Sequence, residues 1–243
     1  MKFNQLEIIF ENENIIAINK PSGLLTIPDR YNQLLPSVYE LLKEKYQNIF
    51  TVHRLDVGTS GVLLFAKTAE SHKNLNEQFS NHTVKKIYTA VLEGVLHQSL
   101  QEIDIPLLQN PNKKGGVIPS ARGKDSLTIL TVIDRFRNAT LVNAELKTGR
   151  LHQLRAHTAT IGYPLLVDDF YGNSKEFYVS SVKRHFKIKK NEEETPLISR
   201  PTMHATVISF IDLDKKEIVL EAKFPKDFSA LIQVLKKYSR TNS

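Results

Sequence analysis

Short apolar runs recur along the 243-residue chain, and none approaches the 18 or more apolar residues of a membrane span. The first two, residues 6–10 and 15–20, are rich in Ile and are separated by the polar letters ENEN, which predicts two strands joined by a hairpin or a change of strand. A third, GVLLFAK at residues 61–67, is apolar throughout, as expected of a strand covered on both faces. These runs predict a sheet with a buried interior.

Further β-rich runs and four amphipathic or polar helical stretches complete the pattern. Strands are predicted at residues 85–96, 127–136, 139–147, 203–213 and 216–224. Helices are predicted at residues 36–47, 69–80, 149–162 and 227–239. Pro, Gly and Lys make residues 108–126 a mobile basic loop, and residues 172–200 read as a basic irregular insert. We therefore predict a single α+β domain over residues 1–243, built on a large, mainly antiparallel mixed sheet with flanking helices.

Net charge and composition limit which partners and which kinds of reactive site this chain can have. The chain carries 33 Lys and Arg against 26 Asp and Glu, a formal net charge of +7 that favours a polyanionic partner. It has no Cys, which excludes disulfides, thiolate zinc sites and a Cys nucleophile, so a nucleophile must be oxygen or nitrogen. The opening MKFNQLEIIFENENIIAINK lacks the pattern of a secretory signal, so we expect a cytoplasmic protein with no membrane contact.

A charged turn precedes the GVLLFAK run. His53, Arg54 and Asp56 stand there, with Gly58 and Gly61 permitting a tight path. Taken alone, Asp56 is best interpreted as capping its own turn, and His53 and Arg54 as solvated or phosphate-binding side chains.

The predicted helix 149–162 carries an arginine, Arg155, on its buried side. A 100° step per residue puts Arg155 toward the core side, between Leu151 and Ala159. A buried guanidinium is costly unless a carboxylate pairs with it, so the chain needs a buried acid. Arg150 suits a phosphate contact or a plain surface role equally well. His152 and His157 would lie about 140° apart on this helix, which argues against a metal site.

Six ordered motifs resemble one family. They are HRLDVGTSGVLLFAK (53–67), GRLHQLRAH (149–157), INKPSGL (18–24), KKIYTAVLEG (85–94), GYPLLVDDFYG (162–172) and MHATVISF (203–210). Together they resemble the RluA family of pseudouridine synthases, which isomerise uridine to pseudouridine in structured RNA. The resemblance runs from about residue 8 to residue 224. It implies the catalytic-domain fold of that family, without the family's frequent N-terminal RNA-binding domain.

The resemblance also implies site residues. Asp56 matches the catalytic aspartate and Arg155 the arginine that pairs with it, while Arg54 matches the residue that enters the RNA and helps to flip the base. Tyr88 matches the aromatic against the uracil ring, although by itself it would be interpreted as an ordinary strand aromatic. The substrate-binding residues implied are His53, Arg54, Thr59, Ser60, Arg150, His152 and Gln153.

The resemblance implies a reaction that needs no cofactor and no metal. It also implies that the partner is RNA, either ribosomal or transfer RNA. Basic loops near residues 112–124 and 183–190 would hold the phosphates of that RNA. A monomer is expected, although the sequence leaves the oligomeric state open. Val57, Gly58, Tyr163 and Val167 depart from the family's usual letters, which affects substrate contacts more than catalysis.

Two other functions are compatible with parts of the sequence. An RNA-binding or RNA-folding module without chemistry fits the charge and the loops equally well. A glycosidase with paired carboxylates fits poorly, because the best-placed acid is accompanied by Arg instead of a second acid. RNA targets are chosen by shape and exposed loops, so the sequence does not reveal which uridine is modified.

Overall fold

The computed structural model describes residues 2–187 and 192–240. The strands are β1 Glu7–Glu11, β2 Ile15–Lys20, β3 Phe50–Thr51, β4 Ser60–Ala66, β5 Lys85–Glu93, β6 Leu100–Asp104, β7 Leu107–Gln109, β8 Val117–Pro119, β9 Leu127–Arg135, β10 Ala139–Leu146, β11 Met203–Ile211 and β12 Glu217–Glu221. The α-helices are α1 Val38–Lys43, α2 Ala69–Ser80, α3 Gln153–Thr160 and α4 Lys226–Tyr238. Residues Phe3–Gln5 and Val179–Ser181 form 3₁₀ turns. The predicted α+β class with a mixed, mostly antiparallel sheet is confirmed.

Backbone contacts divide the chain into two compact units. Unit 1 comprises residues Met1–Tyr88 and His204–Lys223, and unit 2 comprises Thr89–Met203 and Phe224–Ser243. The prediction of one domain over residues 1–243 stays a prediction.

Unit 1 is built around strand β4. Antiparallel β2 lies on one side of β4 and parallel β11 on the other; β1 lies beyond β2, and β12 pairs antiparallel with β11. Every residue of β4 is buried, as the unbroken apolar run predicts. Side chains from β2, β4 and α1 form the core on one face, and α2 covers the other through Leu75.

In unit 2 the strand order is β5, β10, β9, β6, and the predicted antiparallel pair at 127–136 and 139–147 is β9 and β10. The apolar stripe of α4, with Phe228, Leu231 and Leu235, packs with Phe136 and Val91 in its main core. A separate two-stranded hairpin joins β7 to β8.

Two sequence predictions need correction, and one strand was missed. Residues 108–126 are not a continuous loop, because β7 and β8 pair within that region. The helix predicted from residue 149 begins only at Gln153, because His152 adopts a left-handed backbone with φ of 50°. Strand β6 was not predicted, because its alternating polar letters give no apolar run.

The predicted insert at residues 172–200 is mostly irregular where the structure describes it, with one bridge between Phe177 and Ile198. Residues 188–191 lie outside the described part of the chain, so the predicted phosphate-binding loop 183–190 is described only as far as residue 187. None of the helices in the described ranges is long and apolar enough to cross a membrane.

Candidate active site

The loop between β3 and β4 presents Asp56 on a closed turn. The Thr59 N–H donates to the Asp56 carbonyl at 3.0 Å, so residues 56–59 form a single turn. Leu55 is buried in the core of unit 1, whereas Arg54 is exposed and Asp56 is half-buried. The buried Leu55 side chain therefore anchors the loop while its two charged neighbours reach solvent.

Residues 20–26 hold this loop by its backbone. Three donors reach its carbonyl oxygens: Thr26 Oγ1 to Leu55 at 2.9 Å, Gly23 N–H to Val57 at 2.8 Å, and Ser22 Oγ to Gly58 at 2.9 Å. Thr26 Oγ1 also accepts from the Leu55 N–H at 3.1 Å, so residue 55 is bound on both sides. The INKPSGL motif therefore has a local physical task, which is to fix the path of the loop that carries Asp56.

Lys20 extends that hold with a charge. Its side chain is 0% exposed, and Nζ donates to the carbonyls of Pro21 at 3.0 Å, Leu24 at 2.7 Å and Val57 at 3.3 Å. A buried ammonium is costly unless its protons are bonded, and these three dipoles bond them. Since one of the carbonyls belongs to Val57, Lys20 fixes the position of the residue that follows Asp56.

Tyr88, on β5, lies within the electrostatic reach of Asp56. Burial raises the pKa of the Tyr88 phenol above its ordinary value, and the negative charge of Asp56 raises that pKa further. The ring packs against the same core cluster that contains Leu55. Tyr88 is therefore a neutral phenol at physiological pH, located where it can influence a group bound at Asp56.

His53 is held by the protein itself. Its ring stacks on Phe79 with centroids 5.0 Å apart, and Nε2 accepts the Leu64 N–H at 3.0 Å. Burial, and then the charge of Lys86, lower the pKa of the His53 imidazole to about 3, so the ring is neutral. These contacts give His53 a structural task in unit 1, and its contact with substrate stays a prediction.

Ser60 and His204 form a buried link between β4 and β11. Ser60 Oγ lies 2.9 Å from His204 Nδ1, and His204 Nε2 lies 3.2 Å from the Ala222 carbonyl. A carbonyl can only accept, so Nε2 carries the ring proton and Nδ1 accepts from the serine. Thr59 and Ser60 are 2% and 1% exposed, and the substrate contact inferred for them stays a prediction.

In unit 2, Arg155 is bound by an acid that the sequence reasoning did not identify. Nε donates to Asp168 Oδ2 and Nη2 to Oδ1, each at 2.7 Å, with the two residues 7% and 0% exposed. Burial would raise the pKa of Asp168, but the hydrogen bonds and charge of Arg155, aided by two backbone N–H groups, hold it below its ordinary value. The predicted burial of Arg155 is confirmed, and its pairing with Asp56 stays a prediction.

Tyr171 connects this ion pair to neighbouring loops. The guanidinium carbon of Arg155 lies 5.3 Å from the Tyr171 ring centroid. The Tyr171 hydroxyl accepts the Val117 N–H from β8 at 2.8 Å and lies 3.2 Å from His152 Nδ1. The segment after Asp168 therefore fixes Arg155, His152 and the β7–β8 hairpin together.

Gln153 closes the start of α3. Its Oε1 accepts the Arg150 N–H at 3.0 Å, and Nε2 donates to Leu127 O and Thr128 Oγ1, both at 3.0 Å. Arg150 Nε donates to the Asp125 carbonyl at 3.0 Å. Both side chains brace the loop before α3, and their contacts with substrate stay predictions.

The residues missed by sequence reasoning are Lys20, Thr26, Asp168, Tyr171 and His204. All but Thr26 lie in three of the motifs quoted above, INKPSGL, GYPLLVDDFYG and MHATVISF. The sequence of these motifs does not indicate which groups the missed residues bind. Within residues 2–187 and 192–240, no group of three or more His, Asp or Glu side chains is placed to hold a metal ion.

Comparison with known proteins gives a consistent match. The family described as RNA pseudouridylate synthase matches residues 14–160. The chain is 34% identical over 243 residues to a ribosomal large subunit pseudouridine synthase D from Zymomonas mobilis, covering 95% of this chain and 73% of the relative. It is 40% identical over 167 residues to a dual-specificity RNA pseudouridine synthase RluA from Vibrio cholerae, covering 68% of each chain.

Among solved structures, the fold is similar to human RNA pseudouridylate synthase domain containing 4. The TM-score is 0.71 at 21% identity, covering 95% of this chain and 93% of the human one. At that identity the likeness concerns the fold alone.

Proposed function

We propose that Asp56 carries the chemistry of this chain, which belongs to the RluA family of RNA pseudouridine synthases. The family makes the chain an isomerase that forms pseudouridine in RNA. The observation that most supports Asp56 is the turn that carries it, which is bound by residues 20–26, leaves Asp56 half-buried and brings its charge within electrostatic reach of the Tyr88 phenol.

The reaction explains why so few groups are needed. The bond from uracil N1 to C1′ breaks, the base turns, and a bond from C5 to C1′ forms; the proton lost from C5 is matched by one gained at N1. No electrons or atoms leave the substrate, so the balance of the reaction requires no cofactor. The protein must supply an ionised nucleophile or base and hold the detached base in place.

We assign Asp56 that first task. The role proposed for Arg155 is to pair its guanidinium with this carboxylate and hold it in place. The neutral phenol of Tyr88 would lie against the uracil ring. Exposed Arg54 would occupy the space left by the flipped nucleotide, offsetting an unstacking cost of a few kcal/mol.

The proposed substrate is structured RNA, ribosomal or transfer RNA. The net charge of +7 supports a polyanionic partner. Residues His53, Thr59, Ser60, Arg150, His152 and Gln153 are proposed to contact it or to support the loops that do. We further propose that the protein acts in the cytoplasm, as a monomer.

The Asp56→Asn variant tests the assignment. With unmodified ribosomal and transfer RNA transcripts as substrates, it should lower the rate of pseudouridine formation at least about 1,000-fold, because an amide can serve neither as nucleophile nor as base. The thermal midpoint should stay within a few degrees of wild type. Asp214→Asn, an exposed substitution of the same kind, should keep full activity.

The outcomes separate the two candidate functions. Equal turnover by wild type and Asp56→Asn would remove Asp56 from the mechanism. A wild-type protein that binds these RNAs and leaves every uridine unchanged would instead support the RNA-binding module that the basic charge also allows.

A further inference from the structure

Residues 183–187, which the sequence predicts to hold phosphates, belong to a larger group of basic residues in unit 2. Three separate segments contribute to it, and six of its seven members are exposed while Lys183 is half-buried. We call it the Tyr238 patch, and it comprises Arg137, Lys183, Arg184, Lys187, Lys236, Lys237 and Arg240.

The Tyr238 ring brings two of the segments together. Lys183 Nζ lies 5.4 Å and Lys237 Nζ 5.3 Å from its centroid, so two ammonium groups 54 positions apart in sequence share one ring. Lys183 Nζ also lies 5.5 Å from the ring centroid of Phe186.

The third segment joins through the backbone. The Arg137 N–H donates to the Ser239 carbonyl at 2.6 Å, and Phe136 forms a bridge with Arg240. The β9–β10 turn and the segment that contains Lys183 are therefore each held against the end of α4 by defined contacts.

Gathering like charges in this way opposes folding unless an anion compensates them. The helix dipole accounts for Lys236 and Lys237 in the last turn of α4, but not for Arg137 or for the basic residues of 183–187.

We propose that the Tyr238 patch binds phosphates of the substrate RNA beyond the nucleotide that reacts. Basic side chains interleaved with aromatic rings are typical of surfaces that follow a nucleic-acid backbone, since lysines neutralise phosphates and rings stack on bases. The proposal rests on the proposed function for the identity of the polyanion. It predicts that the patch contributes to affinity for long RNA and contributes nothing to the chemical step.

Two double variants test it. Lys183→Gln/Lys237→Gln removes two charges from the patch, and Lys73→Gln/Lys223→Gln removes two exposed charges from unit 1 as the matched control. The probes are a full-length unmodified large-subunit ribosomal RNA transcript and a stem-loop of about 20 nucleotides around the uridine that wild type modifies. Dissociation constants at several salt concentrations and single-turnover rates at saturating protein are measured separately.

The patch variant should bind the long transcript about 10-fold more weakly at 0.15 M salt, with a log–log salt slope smaller by about 0.7 to 0.9 per lysine. It should bind the stem-loop as wild type does and convert bound RNA at the wild-type rate. Equal losses in both double variants, an equal loss on the stem-loop, or no loss on the transcript would each overturn the proposal.

If the wild-type protein forms no pseudouridine, that result contradicts the proposed function and leaves the patch proposal to the binding measurements. Those measurements then use a stem-loop of about 20 nucleotides taken from the same transcript. They show by themselves whether the Tyr238 patch binds the longer RNA.

Discussion

His53 stands next to Arg54 in the charged turn, yet its surroundings keep it neutral. Phe79 covers one face of the ring, Lys86 adds a positive charge, and Nε2 is committed to the Leu64 N–H. In the unfolded chain the same imidazole has an ordinary pKa near 6.5, whereas in the folded protein the pKa is about 3. Below pH 6.5 the His53 imidazole is therefore protonated in the unfolded state but not in the folded state. The free energy of unfolding falls as the pH falls from 6.5 toward 3.

This linkage predicts a pH effect on the free energy of unfolding. Between pH 7 and pH 5 the His53 contribution should cost wild type about 1 to 2 kcal/mol. His53→Gln can still accept from Leu64 but does not titrate, so urea unfolding at both pH values should show a correspondingly smaller loss. Exposed His97→Gln serves as control and should keep the wild-type pH dependence. An unchanged loss in His53→Gln would contradict this account of the buried ring.

Single residues also mark the limit of sequence reasoning. A buried carboxylate partner for Arg155 could be predicted from the cost of an unpaired guanidinium, but not its identity, because Asp168 lies in a loop whose path no periodicity describes. Lys20 reads as the polar end of a strand, and its three carbonyl partners come from a loop and from a residue 37 positions away. Such contacts depend on the tertiary fold and not on local letters.

At the scale of elements, the contact between β4 and β11 places the strictest limit on residue size. Gly61 is paired with Ala205 across these parallel strands and has a φ of +120°. A Cβ at position 61 would lie 2.1 Å from the Ala205 carbonyl oxygen, a distance that real atoms do not adopt. The strand that follows the Asp56 turn can approach β11 this closely only because residue 61 has no side chain.

Gly61→Ala should therefore destabilise the protein by at least about 3 kcal/mol in urea unfolding, through clash and backbone strain together. Gly162→Ala is the control, since φ there is +83° but no atom of the described residues lies within 4 Å of the added Cβ. It should cost only about 1 to 2 kcal/mol. Similar losses for the two variants would show that close packing against β11 is not what requires glycine.

Strands and helices with strong periodicity were predicted well, and the exceptions have local causes. The run GVLLFAK identified β4 within one residue, and the predicted helix 36–47 contains α1, which Ser37 caps by accepting the Glu40 N–H. The start of α3 was predicted too early because a left-handed histidine at position 152 is a tertiary outcome, stabilised by Tyr171. The β7–β8 hairpin was missed since its strands have three residues each.

For the whole molecule, the order of the motifs carried more information than any single residue. Asp56 alone reads as a turn residue and Tyr88 as a strand aromatic, and only the six motifs in sequence gave them a common chemistry. Family and reaction could therefore be predicted, whereas the RNA target could not, because shape and exposed loops of the RNA decide it.

The most direct test of the central claim is a map of pseudouridine in cellular RNA. Ribosomal and transfer RNA would be compared from cells lacking this protein and from the same cells supplied with wild type, Asp56→Asn or Asp214→Asn. The account predicts that at least one pseudouridine disappears without the protein and returns with wild type and Asp214→Asn, but not with Asp56→Asn. Its return with Asp56→Asn, or no change at any uridine, would contradict it.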